Sequence, residues 1–214
     1  MIDLLLELGR GLGISAAIFA LTLLFSLPLG LLLALGRMSS IVSLRWTVGG
    51  YISIMRGTPL MLQLFFVYFG PWYIFHIPIS DSYRFISVIL AFSLNYAAYF
   101  AEIYRAGIES IDPGQREAAA ALGFGRFKAF FRIVFPQVCK RILPSVTNET
   151  ITLVKDTSLA FALSVMEMFT IARMEASART TMVPFIVAGV YYYIFNFIVA
   201  WTMARIERRL SYFN

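Results

Sequence analysis

The side chains able to do chemistry are few, and their inventory excludes most of it. His76 is the single histidine and Cys139 the single cysteine in 214 residues. There is therefore no two-histidine metal site and no disulfide framework, and His76, in the connection before the third span, suggests no Ser-His arrangement. No G-x-x-x-x-G-K-[ST] phosphate loop occurs either. What remains are polar and ionisable groups in apolar surroundings: Asn95, Lys155, Asp156, Thr157, Ser158 and Glu167, with Gln63 and Tyr68 upstream. A charge at membrane depth costs about 2.5–3.5 kcal/mol on insertion scales, so such groups mark a binding or permeation path before they mark catalysis.

The elements that must position them are membrane spans. Apolar residues make up 59% of the chain and charged residues 14%, with mean hydropathy +0.76, against about 25% charged in soluble domains. A single transmembrane domain over residues 1–214 is expected. After an amphipathic lead-in, Met1 to Arg10, a first span covers Leu12 to Leu35, kinked near Pro28 and Gly30. Leu44 to Phe75 makes one crossing in two pieces. It breaks at Arg56-Gly57-Thr58-Pro59, where Thr58 suits an N-cap and Pro59 a first helical position. Further spans cover Phe85 to Ile108, Leu143 to Phe169 and Val183 to Ala204. Glu102 and Arg105 are spaced to pair near the end of the third.

Between the third and fourth spans lies Gly107 to Arg141, polar and basic where its neighbours are apolar. Pro113-Gly114 reads as a turn, Gln115 to Leu122 as a helix with four consecutive alanines, Gly123 and Gly125 as its stop, and Lys128 to Phe135 as a second helix. Lys and Arg number twelve on the side holding this loop and four on the other. That asymmetry places the N-terminus outside and the loop and C-terminus inside. The formal charge of +6 thus belongs to juxtamembrane segments and carries no nucleic-acid reading.

Glu117-Ala118-Ala119, three residues, Gly123, nine residues, Ile133 and then Pro136 resembles the EAA motif of permease subunits of bacterial ABC importers. RGTPLMLQLFF at 56–66, AAYFAEIYRAGIESIDPGQ at 97–115 and KDTSL at 155–159 are similar to the polar amino-acid uptake branch. Phe135 departs from the leucine usual before the proline and keeps its bulk and apolarity. The resemblance implies an all-α membrane protein of the type I ABC importer fold, with five transmembrane helices and a coupling helix, in the cytoplasmic (inner) membrane. Its loop, roughly 109–136, would dock on a separate ATPase chain that binds ATP and Mg, leaving this chain without a cofactor of its own. Ala118, Ala119, Ala121 and Leu122 would make the close contact, Glu117 would offer a charge and Gly123 would end the helix. Further implied partners are a second permease copy, identical or a sister, and an extracytoplasmic solute-binding protein. The implied substrate is a polar amino acid, with cystine or a cationic amino acid favoured and glutamine retained.

For the path, Asp156 reads either as the N-cap of a half-helix from Thr157 to Met168 or as part of a break whose charges pair with neighbouring spans. Glu167 favours a positively charged substrate group or sits at the outer interface. Asn95, Gln63 and Tyr68 line the path or hydrogen-bond between helices. The expectation is that Asn95, Thr157, Ser158 and Glu167 converge on one pocket. The competing classes are an ATP-independent channel or secondary amino-acid transporter, with membrane charges forming a relay, and a non-transporting scaffold.

Overall fold

Long, apolar helices dominate because a bilayer core offers backbone N–H and C=O groups no water, so each must be satisfied within its own segment. The computed structural model describes residues 1–210, and among them there is no strand. Helices α1 (Ile2–Arg37), α4 (Asp81–Glu109) and α9 (Val183–Leu210) are each long and apolar enough to cross a membrane. Two bent pairs bring the number of candidate spans to five: α2 (Val42–Gly57) with α3 (Leu60–Phe75), meeting at 112°, and the helix running from Arg126 to Leu163 with α8 (Met168–Arg179), meeting at 58°. Between α4 and that long helix stands α5 (Pro113–Ala121).

Helix α4 is the centre, with Phe92, Tyr96 and Phe100 buried along it. Helix α1 lies against it, and its buried face is a row of mostly small residues that includes Thr22, Ser26, Gly30 and Ala34. A Cβ at Gly30 would stand 2.8 Å from the Phe100 Cβ and 3.0 Å from the Ala97 carbonyl oxygen. Lipid is as apolar as leucine, so such helices associate by close packing, which small side chains permit.

Several boundaries differ from those expected. Met1 to Arg10 is no separate lead-in: Leu4 and Leu8 continue the buried face of α1 against Met168 and Ala172 of α8 and Ala188 of α9. Pro28 lies inside an unbroken helix. Thr58 ends α2 rather than capping α3, its hydroxyl donating to the Ile54 carbonyl at 2.8 Å, and Pro59 stands at the N-cap with Leu60 first in the helix. Pro113 opens α5 instead of forming a turn before it. Leu143-Pro144 starts nothing new: α6 (Arg126–Ala129), a π-helical turn (Phe130–Val134) and α7 (Phe135–Asp156) form one rod with Pro144 inside it. The π turn answers Pro136, which has no N–H for a preceding carbonyl; the Phe135 amide reaches back to Phe130. A one-turn excursion of this kind is the usual way to absorb a register change within a helix.

Candidate functional site

Two regions bring functional side chains together: the hairpin around α5, and a charged cavity between the break after α2, helix α4 and helix α7.

Helix α5 has only nine residues, too few to stand alone in water, so its ends must be secured. At the start Asp112 accepts the Gly114 amide at 2.7 Å and Pro113 supplies a preset φ. At the end Gly123 adopts φ +75°, with its amide on the Ala120 carbonyl and the Phe124 amide on the Ala119 carbonyl, both at 3.0 Å. This is the Schellman arrangement, which needs a left-handed residue and favours glycine. Glu117, Ala118, Ala121, Leu122 and Gly123 are exposed, Leu122 at 75%. Ala119, expected among the contacting residues, is instead 1% exposed and packs within its own chain. Glu117 lines a cleft of about 670 Å³ together with Leu35, Met38, Phe124, Arg126 and Phe130.

The hairpin is fastened to both helices that carry it. Ile108 and Ile111 at the end of α4 pack with Val134 and Val138 of the long rod. The Arg141 guanidinium donates to the Ser110 carbonyl. Gln137 Nε2 donates to the Ile133 carbonyl at 2.9 Å and lies 3.4 Å from Gln115 Oε1, joining α5 to the π turn. At Gly107 an added Cβ would fall 2.1 Å from Ile142 Cγ2, so the two helices touch there only because the residue is glycine. The hairpin that carries α5 is thus tied to α4 and to the long rod alike.

The cavity, of about 580 Å³, is lined by Arg56, Tyr99, Glu102, Arg141, Ser145 and Glu149 among others. Its volume lies within the range of about 300–1,000 Å³ typical of small-molecule sites. Arg56 Nη1 stands 3.9 Å from Glu102 Oε2, and the Arg56 guanidinium carbon 5.4 Å from the centroid of the Tyr99 ring. Glu102 also receives Arg105 Nη2 at 2.7 Å, the pair expected from their spacing, and Arg105 reaches Glu109 at 2.5 Å. Both signs of charge thus face one space, which suits a ligand carrying both. Arg56, Glu102 and Glu149 were not assigned to the path from sequence, although the membrane cost of ionisable groups was the signal that could have found them.

The other anticipated path residues take different positions. Asn95 and Gln63 secure the break between α2 and α3. Asn95 Nδ2 donates to the Met55 carbonyl and to Gln63 Oε1, both at 3.0 Å, while Gln63 Nε2 reaches Thr58 Oγ1 at 2.8 Å and the Met55 carbonyl at 2.9 Å. These amides satisfy polar groups that the bend frees. Asn95→Leu is expected to lower stability by about 1–3 kcal/mol, because buried acceptors lose their donor; an unchanged thermal melt of the purified variant would show that the break is held otherwise. Tyr68 stacks on Tyr83, ring centroids 6.2 Å apart, with Tyr83 in the first turn of α4, far along the helix from Glu102.

Asp156 ends α7 and accepts the Tyr96 hydroxyl at 2.7 Å, so it is not the N-cap of a half-helix. Thr157–Leu163 is a 3-10 turn closed by Ser164 in the left-handed region at φ +55°. Thr157 and Ser158 donate back to the Val154 and Lys155 carbonyls, each at 2.8 Å. The half-helix is α8, and its N-cap is Glu167. That carboxylate is 0% exposed and accepts the Phe169 and Thr170 amides at 2.7 Å, the Thr170 hydroxyl at 2.8 Å, the Tyr192 hydroxyl at 3.1 Å and the Ser15 hydroxyl at 3.5 Å. The Tyr192 hydroxyl also neighbours Thr157. So Thr157 and Glu167 do gather around one tyrosine, as a buried polar junction, while Asn95 and Ser158 make their hydrogen bonds elsewhere. A carboxylate so buried and so fully hydrogen-bonded is taken up by its own chain, whereas Glu102 and Glu149 line the cavity.

Residues 26–212 match the family model described as binding-protein-dependent transport system inner membrane component. The arginine transport system permease protein ArtQ of Bacillus subtilis (strain 168) is 37% identical over 203 residues, covering 94% of this chain and 91% of the relative. The L-cystine transport system permease protein TcyB of the same organism is 38% identical over 207 residues, covering 95% and 86%. Among solved structures, that of an amino acid ABC transporter with histidines superposes with a TM-score of 0.88 at 31% identity, over 98% of this chain and 96% of that one. The MetNI methionine ABC transporter shares the fold, with a TM-score of 0.72 at 20% identity over 98% and 97% of the two chains. The chain therefore belongs to the binding-protein-dependent transport system inner membrane components, as a helical permease of the amino-acid ABC-transporter type.

Proposed function

We propose that this chain forms half of the translocation path of an ATP-driven uptake system for a polar amino acid, and that α5 is the handle through which a separate ATPase drives alternating access. The observation that carries the reading is the hairpin: capped at both ends, exposed along Glu117, Ala118, Ala121 and Leu122, and fastened to α4 and α7. In this reading the ATPase binds the ATP and Mg, and an extracytoplasmic binding protein delivers substrate. A second permease copy completes the path, because five crossings enclose too little. The hairpin and C-terminus lie in the cytoplasm and the N-terminus outside, the orientation that the excess of Lys and Arg on the hairpin side favours.

The cavity with Arg56 and Glu149 is the proposed substrate station, where a guanidinium meets an α-carboxylate and an acid meets an ammonium. Arginine and cystine appear in the names of relatives of similar identity, and glutamine permeases stand close behind. The substrate class is thus a polar amino acid, with cationic amino acids and cystine favoured.

Glu117→Lys reverses the charge the handle offers, and Gly123→Leu forces a side chain into a left-handed conformation that costs about 1–2 kcal/mol, although the space around Gly123 is open. Both variants are expected to reach the membrane, to lose at least about tenfold in uptake, a change of about 1.4 kcal/mol in the coupling step, and to leave ATP hydrolysis running without transport. Undiminished uptake in both would refute the handle. A channel or secondary transporter would purify as a lone oligomer without a stoichiometric nucleotide-binding partner.

A further inference from the structure

Residues 118–148 carry five Lys and Arg and no Asp or Glu, which makes this stretch unlike the coupling helix before it. Along the rod that starts at Arg126, Phe127, Phe131 and Phe135 form one ladder, with successive ring centroids 4.5 and 5.9 Å apart. The rings are 79%, 49% and 41% exposed. Arg126, Lys128 and Arg132 are exposed alongside them, and Lys128 Nζ lies 5.0 Å from the centroid of the Phe124 ring. Three neighbouring aromatic rings in water would be a liability, and the cations around them select what covers them. The same helix continues from Arg126 to Leu163 as part of a span, so the ladder sits where the chain passes from the polar hairpin into hydrocarbon.

We propose that residues 126–135 are an interfacial anchor for anionic phospholipid, with the three rings at the acyl boundary and the cations, chiefly Lys128 and Arg132, on headgroup phosphates. Aromatic rings flanked by Lys and Arg are what the membrane interface stabilises, and a basic amphipathic segment gains further from anionic lipid. The exposed face of α5 and the aromatic ladder then divide the work: one is left for a protein partner, the other fixes the height of the hairpin against the bilayer. Glu117 shares a cleft with Arg126, so Lys128 and Arg132 carry the excess positive charge. The inference needs only that the chain spans a membrane and does not depend on its substrate.

The test uses the full-length chain in nanodiscs, with Trp46, Trp72 and Trp201 changed to Phe and a single reporter introduced by Phe127→Trp. Indole fluorescence is read against phosphatidylcholine or phosphatidylglycerol brominated on the acyl chains. Brominated phosphatidylglycerol is expected to quench about twofold more strongly than the same fraction of brominated phosphatidylcholine, and Arg126→Gln/Lys128→Gln/Arg132→Gln to remove that difference. Equal quenching by the two lipids would overturn the anionic preference, even if the triple variant failed to fold. Free access of aqueous acrylamide to the indole, or protection gained only when the co-purified ATPase is present, would overturn the anchor and assign the ladder to water or to the protein interface.

Discussion

Glu167→Ala is expected to cost about 3–5 kcal/mol of stability, the largest effect of any single substitution considered for this chain. The side chain is fully buried and stands at the junction of three helices. Removing it withdraws the N-cap of α8, worth about 1 kcal/mol by itself. It also leaves the Phe169 and Thr170 amides and the Thr170, Tyr192 and Ser15 hydroxyls facing a void, and each unsatisfied buried donor costs about 1–3 kcal/mol unless it finds a new partner. Glu167→Gln preserves the shape but turns an amide NH2 toward groups that donate, so about 1–3 kcal/mol is expected there. Thermal and denaturant unfolding of the purified variants measures both. A Glu167→Ala protein that melts like wild type would mean that α8 is held in place without its cap, and the account of this junction would fall.

Arg56→Ala and Glu149→Gln are expected to have the largest effects on transport while leaving the hairpin untouched. Each removes one charge from the cavity between the α2 break, α4 and α7. A charge-assisted hydrogen bond is worth about 1.5–3 kcal/mol, so apparent affinity for the amino acid is expected to fall by about ten- to a hundredfold. Basal ATP hydrolysis by the assembled complex is expected to stay near wild type. Arg56 also stands 3.9 Å from Glu102, so Arg56→Lys is the informative companion: it keeps the charge and is expected to recover part of the affinity. Uptake assays over a range of substrate concentrations decide the matter. Wild-type affinity in both Arg56→Ala and Glu149→Gln would move the substrate station elsewhere.

The hairpin was readable in the sequence in a way the polar junction was not. Caps and glycine stops act over four or five residues, so Gly123 as the end of a helix followed from its neighbours alone, and the structure has it at φ +75°. The beginning of that helix was misplaced by two residues because Pro113 serves equally in a turn and at a first helical position. Pro144 reads as a helix start on the same local grounds, yet it is tolerated inside α7. The register change at Phe130–Val134 had no signature beyond Pro136.

By itself, the order of residues determined that this chain spans a membrane, where its polar hairpin lies, which side of it is most basic, and the family it belongs to. Those properties depend on composition and on spacings within one helical turn or one loop. Only the tertiary structure decided what each polar group does. Glu167 caps a helix, Asn95 and Gln63 stitch a bend, Ala119 turns inward, and Arg56, Glu102 and Glu149 share a cavity. The reason is that a buried hydrogen bond such as Ser15 to Glu167 joins residues 152 positions apart, and no local pattern specifies which distant donor an acceptor will meet when helices pack at angles their sequences do not encode.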